Sequence, residues 1–478
     1  METNPLYLWA HEHDSVWNFL STVVVAHLIT LVGFLFALLI VGRMFNEKRN
    51  PSNIFAWTLA IFFVPYVSVP LYFLFGGFKS QRLVKNKKHV IGLAAEVAGV
   101  TNISEWMDRQ WSGNSFELLG DGEVAYDAFC REIKNATKNI AIMTYIITND
   151  PIGQKILELL IQKTKEGVDV KLLVDAFGSL GSAGKFLQPL RDAGGQAVRF
   201  MPMIPVHTKT SANLRNHRKM AIFDEKRVII GGQNIDERFL GKLGNPKLFH
   251  DFSVLIEGPA VDAMQRIFIS DWCFTTGENP EKFRDLMACT AQPAGDVPIG
   301  VVASGPDSDN GDTLWEKLIK LIQDSKEHID IVTPYFAPDE VLFQSLLVKA
   351  KAGHSIRLII PEKSNQTLVD FARHYYLRKL YKAGVNILLY KPGMLHAKLF
   401  IVDKKVGMLG SANMDIRSMF VNFEISIFVS TKEPIDILQA WLDKLLPLCT
   451  PYGESKQASA GENRRIMEDF AHLLVPLL

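Results

Sequence analysis

The distribution of apolar and charged positions divides the chain into two unlike parts. From Val16 to Gly42 there is no Asp, Glu, Lys or Arg, and most positions are apolar. A short loop carrying Arg43, Lys48 and Arg49 follows, and then a second charge-free stretch from Pro51 to Phe78. Each is longer than the ~20 residues a helix needs to cross a bilayer core. The pattern therefore predicts a membrane anchor of two transmembrane helices within residues 1–90. A signal peptide fits the first stretch poorly, because no Lys or Arg precedes it and its apolar run is too long. A buried hairpin in a soluble core is the competing reading. Pro65 and Pro70 predict that the second helix is kinked or interrupted. Trp57, Tyr66 and Tyr72 suit membrane interfaces. Lys79, Arg82, Lys85, Lys87 and Lys88 follow the second stretch, and this cluster favours a body on the cytoplasmic side. The basic loop between the stretches argues the other way.

Beyond residue 105 the pattern changes to short β-rich runs alternating with amphipathic helical stretches, which predicts an α/β fold. It also repeats. KNIAIMTYIITND, ending at Asp150, matches EHIDIVTPYFAPD, ending at Asp339, around Tyr145 and Tyr335. LELLIQKTKEGVDVKLLVD matches QSLLVKAKAGHSIRLIIP, and LQPLRDAGGQAVRFMP matches LRKLYKAGVNILLYKP. Each half reads strand, helix, strand, helix, strand, and then a His-x-Lys segment. Two similar lobes with pseudo-twofold symmetry are expected, over 105–292 and 299–455. The linker lies around Pro293 to Gly300, where small residues and proline gather. A C-terminal amphipathic helix is expected in 460–478, with Ile466, Phe470, Leu473, Leu474 and Leu477 near helical spacing. It would pack on the second lobe or lie on a membrane surface.

Charge and cysteine usage narrow the function classes. Over 478 residues the formal net charge is +1, so the basic excess usual in a nucleic-acid-binding protein is missing. Cys130, Cys273, Cys289 and Cys449 are scattered, which gives neither a disulfide framework nor a zinc site.

The chemistry is carried by the end of each repeat. The first holds His217, Lys219 and Asp224 in the pattern H-x-K-x-x-x-x-D, then Gly231, Gly232 and Asn234. The second holds His396, Lys398 and Asp403, then Gly410, Ser411 and Asn413. One such pattern would be weak in a chain with 12 His; two at matching places in a repeat are a strong signal. In a strand, residues two apart project to one side, so each lobe is expected to offer an imidazole and an ammonium together at a strand end. Two lobes face to face would gather two His, two Lys and two Asn around one volume. Lys219, Lys398, Asn234 and Asn413 suit phosphate oxygens, through positive charge and directional hydrogen bonds. Two imidazoles suit a nucleophile and a general acid/base acting on a phosphodiester. No acidic cluster at metal-ligand spacing accompanies them, so no metal or other cofactor is expected.

Through these residues the chain resembles the phospholipase D superfamily, whose signature is the paired His-Lys-Asp motif. Within it the chain is most similar to bacterial cardiolipin synthases. LHAK with GSANMDIRS and NFE, TPYFAPDE, RNHRK, IEGPAV followed by DW, and RNPSNIFAWTLAIFFVPYVSVPLYFLFGG all carry that resemblance, which covers nearly the whole chain. It implies transfer of a phosphatidyl group between two phosphatidylglycerol molecules with release of glycerol, at the bacterial cytoplasmic membrane. It implies membrane lipids as partners and no nucleic acid; self-association is left open. His217 would form a phosphohistidine, the family usually placing the nucleophile in the N-terminal motif. His396 would protonate the departing glycerol and then deprotonate the incoming hydroxyl. Asp251 and Glu424 would orient the catalytic imidazoles through their second nitrogens. Asp224 and Asp403, part of the motif, are read as local braces. Where the family often has aromatic-Arg-Asp, this chain has Phe249-His250-Asp251. His207 and His250 are read as ordinary loop histidines. The alternatives are a phospholipase D giving the group to water, a synthase using phosphatidylethanolamine, a phosphodiesterase or nuclease, and a non-catalytic scaffold.

Overall fold

The computed structural model describes residues 23–25, 27–28, 31–35, 38–42, 51–72, 81–97, 109–202, 214–288, 290–307, 313–455, 458 and 461–473. The chain divides into two compact units, with the boundary between Gly77 and Phe78.

In the first unit the second charge-free stretch forms a helix over Pro51–Phe63, breaks at Val64 and resumes over Pro65–Leu71. The break falls where the proline pattern places it. A proline ring disfavours helical backbone in the residue before it, and Val64 stands at φ −137°, with Pro65 opening the next helix. Among the described residues no helix is long and apolar enough to cross a membrane. Thirteen residues of helix rise only about 20 Å, short of the ~30 Å hydrocarbon core. Trp57 and Tyr72 are buried, their rings edge to face at 5.4 Å in a cluster with Ile40 and Ile61. Of the three aromatics expected at interfaces, Tyr66 alone is exposed.

The second unit holds both repeats. Its strands are β1 (Gln110–Asn114), β2 (Glu117–Leu119), β3 (Asn139–Thr144), β4 (Asp169–Asp175), β5 (Gln196–Phe200), β6 (Met220–Phe223), β7 (Arg227–Gly231), β8 (Ser253–Glu257), β9 (Val297–Ser304), β10 (His328–Val332), β11 (Phe336–Ala337), β12 (Ser355–Pro361), β13 (Asn386–Tyr390), β14 (Leu399–Val402), β15 (Val406–Gly410), β16 (Met414–Asp415), β17 (Glu424–Val429) and β18 (Cys449–Pro451). The first sheet runs β2-β8-β7-β6-β3-β4-β5 and the second β1-β9-β17-β15-β14-β10-β12-β13-β18. Strand for strand, β8-β7-β6-β3-β4-β5 corresponds to β17-β15-β14-β10-β12-β13, parallel and antiparallel pairs included. The matched Asp150 and Asp339 are helix N-caps, each accepting a backbone N–H of the following turn.

Two sequence boundaries shift. β1 pairs antiparallel with β9 and so belongs to the second sheet. Val297 to Gly300, read as linker, is strand, because that antiparallel pairing satisfies its backbone. Each lobe has an outer core between sheet and helices. A third core joins them, with Val254, Ile256 and Trp272 of the first lobe packed with Val301, Ile425 and Leu438 of the second.

At the C-terminus the expected helix spans Glu462–Leu473 and packs on the helix Thr367–Lys382. It does so through Glu468, paired with Arg378, through Ala471, and through His472, stacked on Tyr375 at 3.8 Å. Ile466, Met467 and Phe470 face outward. Leu474 and Leu477 lie outside the described residues, as do His207 and Cys289.

Candidate active site

His217 and Lys219 lie just ahead of β6, and His396 and Lys398 just ahead of β14, in extended segments rather than in the strands themselves. What holds these segments straight is the other lobe. Asn216 forms a parallel bridge with Phe423, with His217 N–H donating to Phe423 O at 2.9 Å and Phe423 N–H to Arg215 O at 2.9 Å. In the second half Leu395 bridges His250, His250 N–H donating to Met394 O and His396 N–H to His250 O, both at 2.8 Å. Asp175, at the end of β4, fixes the first segment further by accepting the N–H of Asn216 at 2.9 Å.

These bridges carry the two acids across the seam. His217 Nδ1 lies 3.0 Å from both carboxylate oxygens of Glu424, and His396 Nδ1 lies 2.7 Å from Asp251 Oδ2. Each imidazole is thus oriented by an acid of the opposite lobe, a pairing no spacing within one motif discloses. An ionised carboxylate only accepts, so Nδ1 carries the proton and Nε2 is left bare. Glu424 is itself fixed by the Ser411 hydroxyl, which donates at 2.5 Å. At the equivalent place beside Asp251 stands Gly232, where a Cβ would come within 2.5 Å of the carboxylate.

Each lysine folds back onto its own histidine. Lys219 Nζ donates to His217 O at 2.7 Å, and Lys398 Nζ donates to His396 O. The Lys398 ammonium also lies 2.6 Å from His396 Nδ1 and 3.2 Å from Nε2. Burial lowers the Lys219 ammonium to about 7 and the Lys398 ammonium to about 8, against the pull of Glu424 and Asp251. Burial also pushes both imidazoles below their ordinary value; Glu424 opposes this at His217, while Lys398 adds to it at His396. Burial raises Asp251 and Glu424, but the facing Lys and His groups outweigh it and hold both carboxyls low. The charges of one motif act on the other, Lys398 on His217 and Lys219 on His396. The two halves form one electrostatic site.

Asn234 and Asn413 are buried nearby. The Asn234 carbonyl oxygen accepts Ile146 N–H at 3.2 Å, which assigns its amide orientation and leaves the NH₂ as the donating end. Asn413 Oδ1 is buried without a partner. Asp224 and Asp403 stand apart from this group. They occupy the turns β6–β7 and β14–β15, about 16 Å along the chain from the lysines at strand rise. Both have positive φ, 50° and 51°, in tight hairpin turns. Asp224 accepts the N–H groups of Thr137, Lys138 and Asn139, and Asp403 those of Lys326, Glu327 and His328. They brace the hairpin against the strand start beside it.

Further residues enter the site. Tyr145 meets the His217 ring edge to face at 5.0 Å, and Tyr335 meets His396 at 6.3 Å. Both had marked the repeat only by matching place. Phe239 and Phe249 wall His396 at 4.8 and 6.1 Å. His250 stacks on Trp441 and meets Tyr390 at a tilt, both of the second lobe, so it acts as an inter-lobe packing ring. Among the described residues no three His, Cys, Asp or Glu side chains are grouped so as to hold a metal ion.

Two α/β lobes that share one seam, each lending a His-Lys pair and the acid for the other's histidine, define a phospholipase D-like protein. A family model described as "Cardiolipin synthase, PLD-like domain" matches residues 129–272 and 318–446, one match in each lobe. A second, "Phospholipase_D-nuclease N-terminal", matches residues 32–77. The chain is 30% identical to Cardiolipin synthase 1 of Bacillus anthracis and 32% identical to Cardiolipin synthase 1 of Bacillus cereus, over 97% of both chains in each case. Its fold is similar to the crystal structure of a phosphatidylserine synthase from Haemophilus influenzae, with TM-score 0.61 and 14% identity over 78% of this chain and 99% of that one. The chain belongs to the cardiolipin synthase family of phospholipase D-like proteins.

Proposed function

We propose that the protein makes cardiolipin, transferring the phosphatidyl group of one phosphatidylglycerol to the terminal hydroxyl of another and releasing glycerol. The supporting observation is the crossed pairing of His217 with Glu424 and His396 with Asp251 around two buried lysines. His217 Nε2 attacks phosphorus, forming the P–N bond as the P–O bond to glycerol breaks; His396, which has taken a second proton from solvent as the phosphate anion enters beside it, gives the glycerol oxygen the proton on Nε2. The hydroxyl of the second phosphatidylglycerol then loses its proton to His396 and displaces His217, restoring both imidazoles. Lys219, Lys398, Asn234 and Asn413 bind the equatorial oxygens as negative charge grows in the transition state. With the Lys219 ammonium at about 7 and the Lys398 ammonium at about 8, the lysines are partly charged in the empty site at neutral pH, and an entering phosphate raises their proton affinity further.

The membrane reading is part of the same proposal: the first unit is a two-span anchor, and the body stands on the cytoplasmic side of the inner membrane. Its support is the pair of charge-free stretches and the outward-facing Leu31, Val32, Leu35, Leu39, Phe55, Phe62 and Phe63. Ile466, Met467 and Phe470 support a further contact with the membrane surface. Purified protein in detergent with phosphatidylglycerol alone should yield cardiolipin and free glycerol by lipid mass spectrometry, with no need of phosphatidylethanolamine. Phosphatidic acid as the main product would assign the enzyme to hydrolysis instead.

A further inference from the structure

The helix Gln81–Val97 belongs to neither repeat, yet it reaches the rear of the first motif. It packs on the helix Ala260–Thr276, and Lys87 points inward with its side chain only 1% exposed. The ammonium is paired with Asp271 at 2.7 Å and with Asp307, and it lies 4.6 Å from the centre of the Phe423 ring. Lys87 is therefore not one of the basic charges available to a membrane surface, as its place behind the anchor had suggested.

Asp271 is the acid of the DW pair that follows IEGPAV, and it is fully buried. Its second oxygen accepts Arg218 Nη1 at 2.5 Å and Asn216 Nδ2 at 2.9 Å. Those are the two chain neighbours of His217. Arg218 continues the network, donating Nε to Glu424 O at 3.0 Å and Nη2 to Ser304 O at 3.3 Å. Burial raises the Asp271 carboxyl, but Arg218 and Lys87 outweigh it and hold it ionised. Two acids and two cations close a neutral buried group, with Lys87 supplying half the positive charge. The second motif has no such device, since the neighbours of His396 are the apolar Leu395 and Ala397.

We propose that Lys87 is a positioning residue for His217, setting through Asp271 the angle at which that imidazole faces Glu424 and the phosphate. The inference rests on His217 being the nucleophile. Without Lys87 the Asp271 carboxylate keeps Arg218 as its only cation beside the Asn216 amide, and shifts toward that pair, pulling Arg218 away from Glu424 O and Ser304 O. Both neighbours of His217 then move, and with them the line of attack. The segment directly behind the anchor is thus built into one histidine and not the other.

The test compares the full-length protein with Lys87→Met/Asp307→Asn, which removes one charge of each sign. A control, Arg227→Met/Glu132→Gln, removes one charge of each sign beside the turn of the first hairpin, at the end away from the His-Lys pair. The expected result is a kcat roughly 10- to 100-fold lower at unchanged KM, as for a slightly misplaced reacting group. The pH profile of kcat should move as well, because His217 and Glu424 no longer meet squarely. The control should lower the thermal midpoint and leave kcat and the profile alone. A folded double variant with the kcat and profile of the wild type would overturn the proposal. If that variant does not fold, Lys87→Arg serves, because it keeps the charge but crowds Asp271. Reduced kcat at an unchanged thermal midpoint supports the proposal, and full kcat refutes it. A wild type that makes no cardiolipin would instead unseat the functional reading.

Discussion

His217 and His396 occupy matching places in the two repeats, but the groups around them differ. His396 has the Lys398 ammonium against its ring and two phenylalanines beside it; His217 has Glu424 on both oxygens and a single tyrosine. Unequal surroundings suit the unequal roles of the proposed mechanism. With a labelled lipid carrying a nitrophenol leaving group, which departs without a proton, His396→Asn should trap phosphatidyl-enzyme in an acid-quenched gel and His217→Asn should not. Label in the His217 variant alone would reverse the roles. The lysines set the pH range. With Lys219 near 7 and Lys398 near 8 in the empty site, kcat/KM should fall as pH rises through that window, because the free enzyme loses the charge that receives phosphate. Lys219→Arg, which keeps its charge, should move this limb upward while lowering the rate. An unmoved limb would show that another group titrates there.

At the scale of elements, the motif is a strand hairpin with its chemistry at one end and its brace at the other. Asp224 and Asp403 each bind three backbone N–H groups and tolerate positive φ at the turn. Asp224→Ala should therefore cost about 1–3 kcal/mol of stability, read as a lower thermal midpoint, with kcat of the folded fraction changed far less. A normal midpoint with no turnover would place Asp224 in the chemistry after all. The aspartate, its spacing from the His-Lys pair and its role as a local brace were legible along the chain; the hairpin turn it closes came from the structure. The antiparallel β1–β9 pair was not legible, because its strands lie far apart in sequence and one was masked by the look of a linker.

For the molecule as a whole, neither lobe holds a complete site, because each histidine takes its acid from the other. Glu424→Gln should hinder the His217 step and Asp251→Asn the His396 step, each by roughly 10²- to 10⁴-fold, as when a histidine loses its orienting carboxylate. A nitrophenol substrate should rescue Asp251→Asn and not Glu424→Gln, read as the rate of covalent labelling. Rescue in the opposite variant would make His217 the proton donor and reverse the roles of the two histidines.

Asp251 and Glu424 were implied by the family resemblance, while the chain by itself determined the repeat, the two His-Lys pairs and the succession of strands and helices along each half. All of these are periodic or motif-borne, and periodicity is a local property of the sequence. Which acid serves which histidine was decided only by the tertiary structure. The bridges from Asn216 to Phe423 and from Leu395 to His250 join segments 207 and 145 residues apart by His217–Glu424 and His396–Asp251 spacing. The place of Lys87 was decided there too. Its sequence surroundings read as basic and exposed, and only packing against the helix Ala260–Thr276 removes it from water and binds it to Asp271.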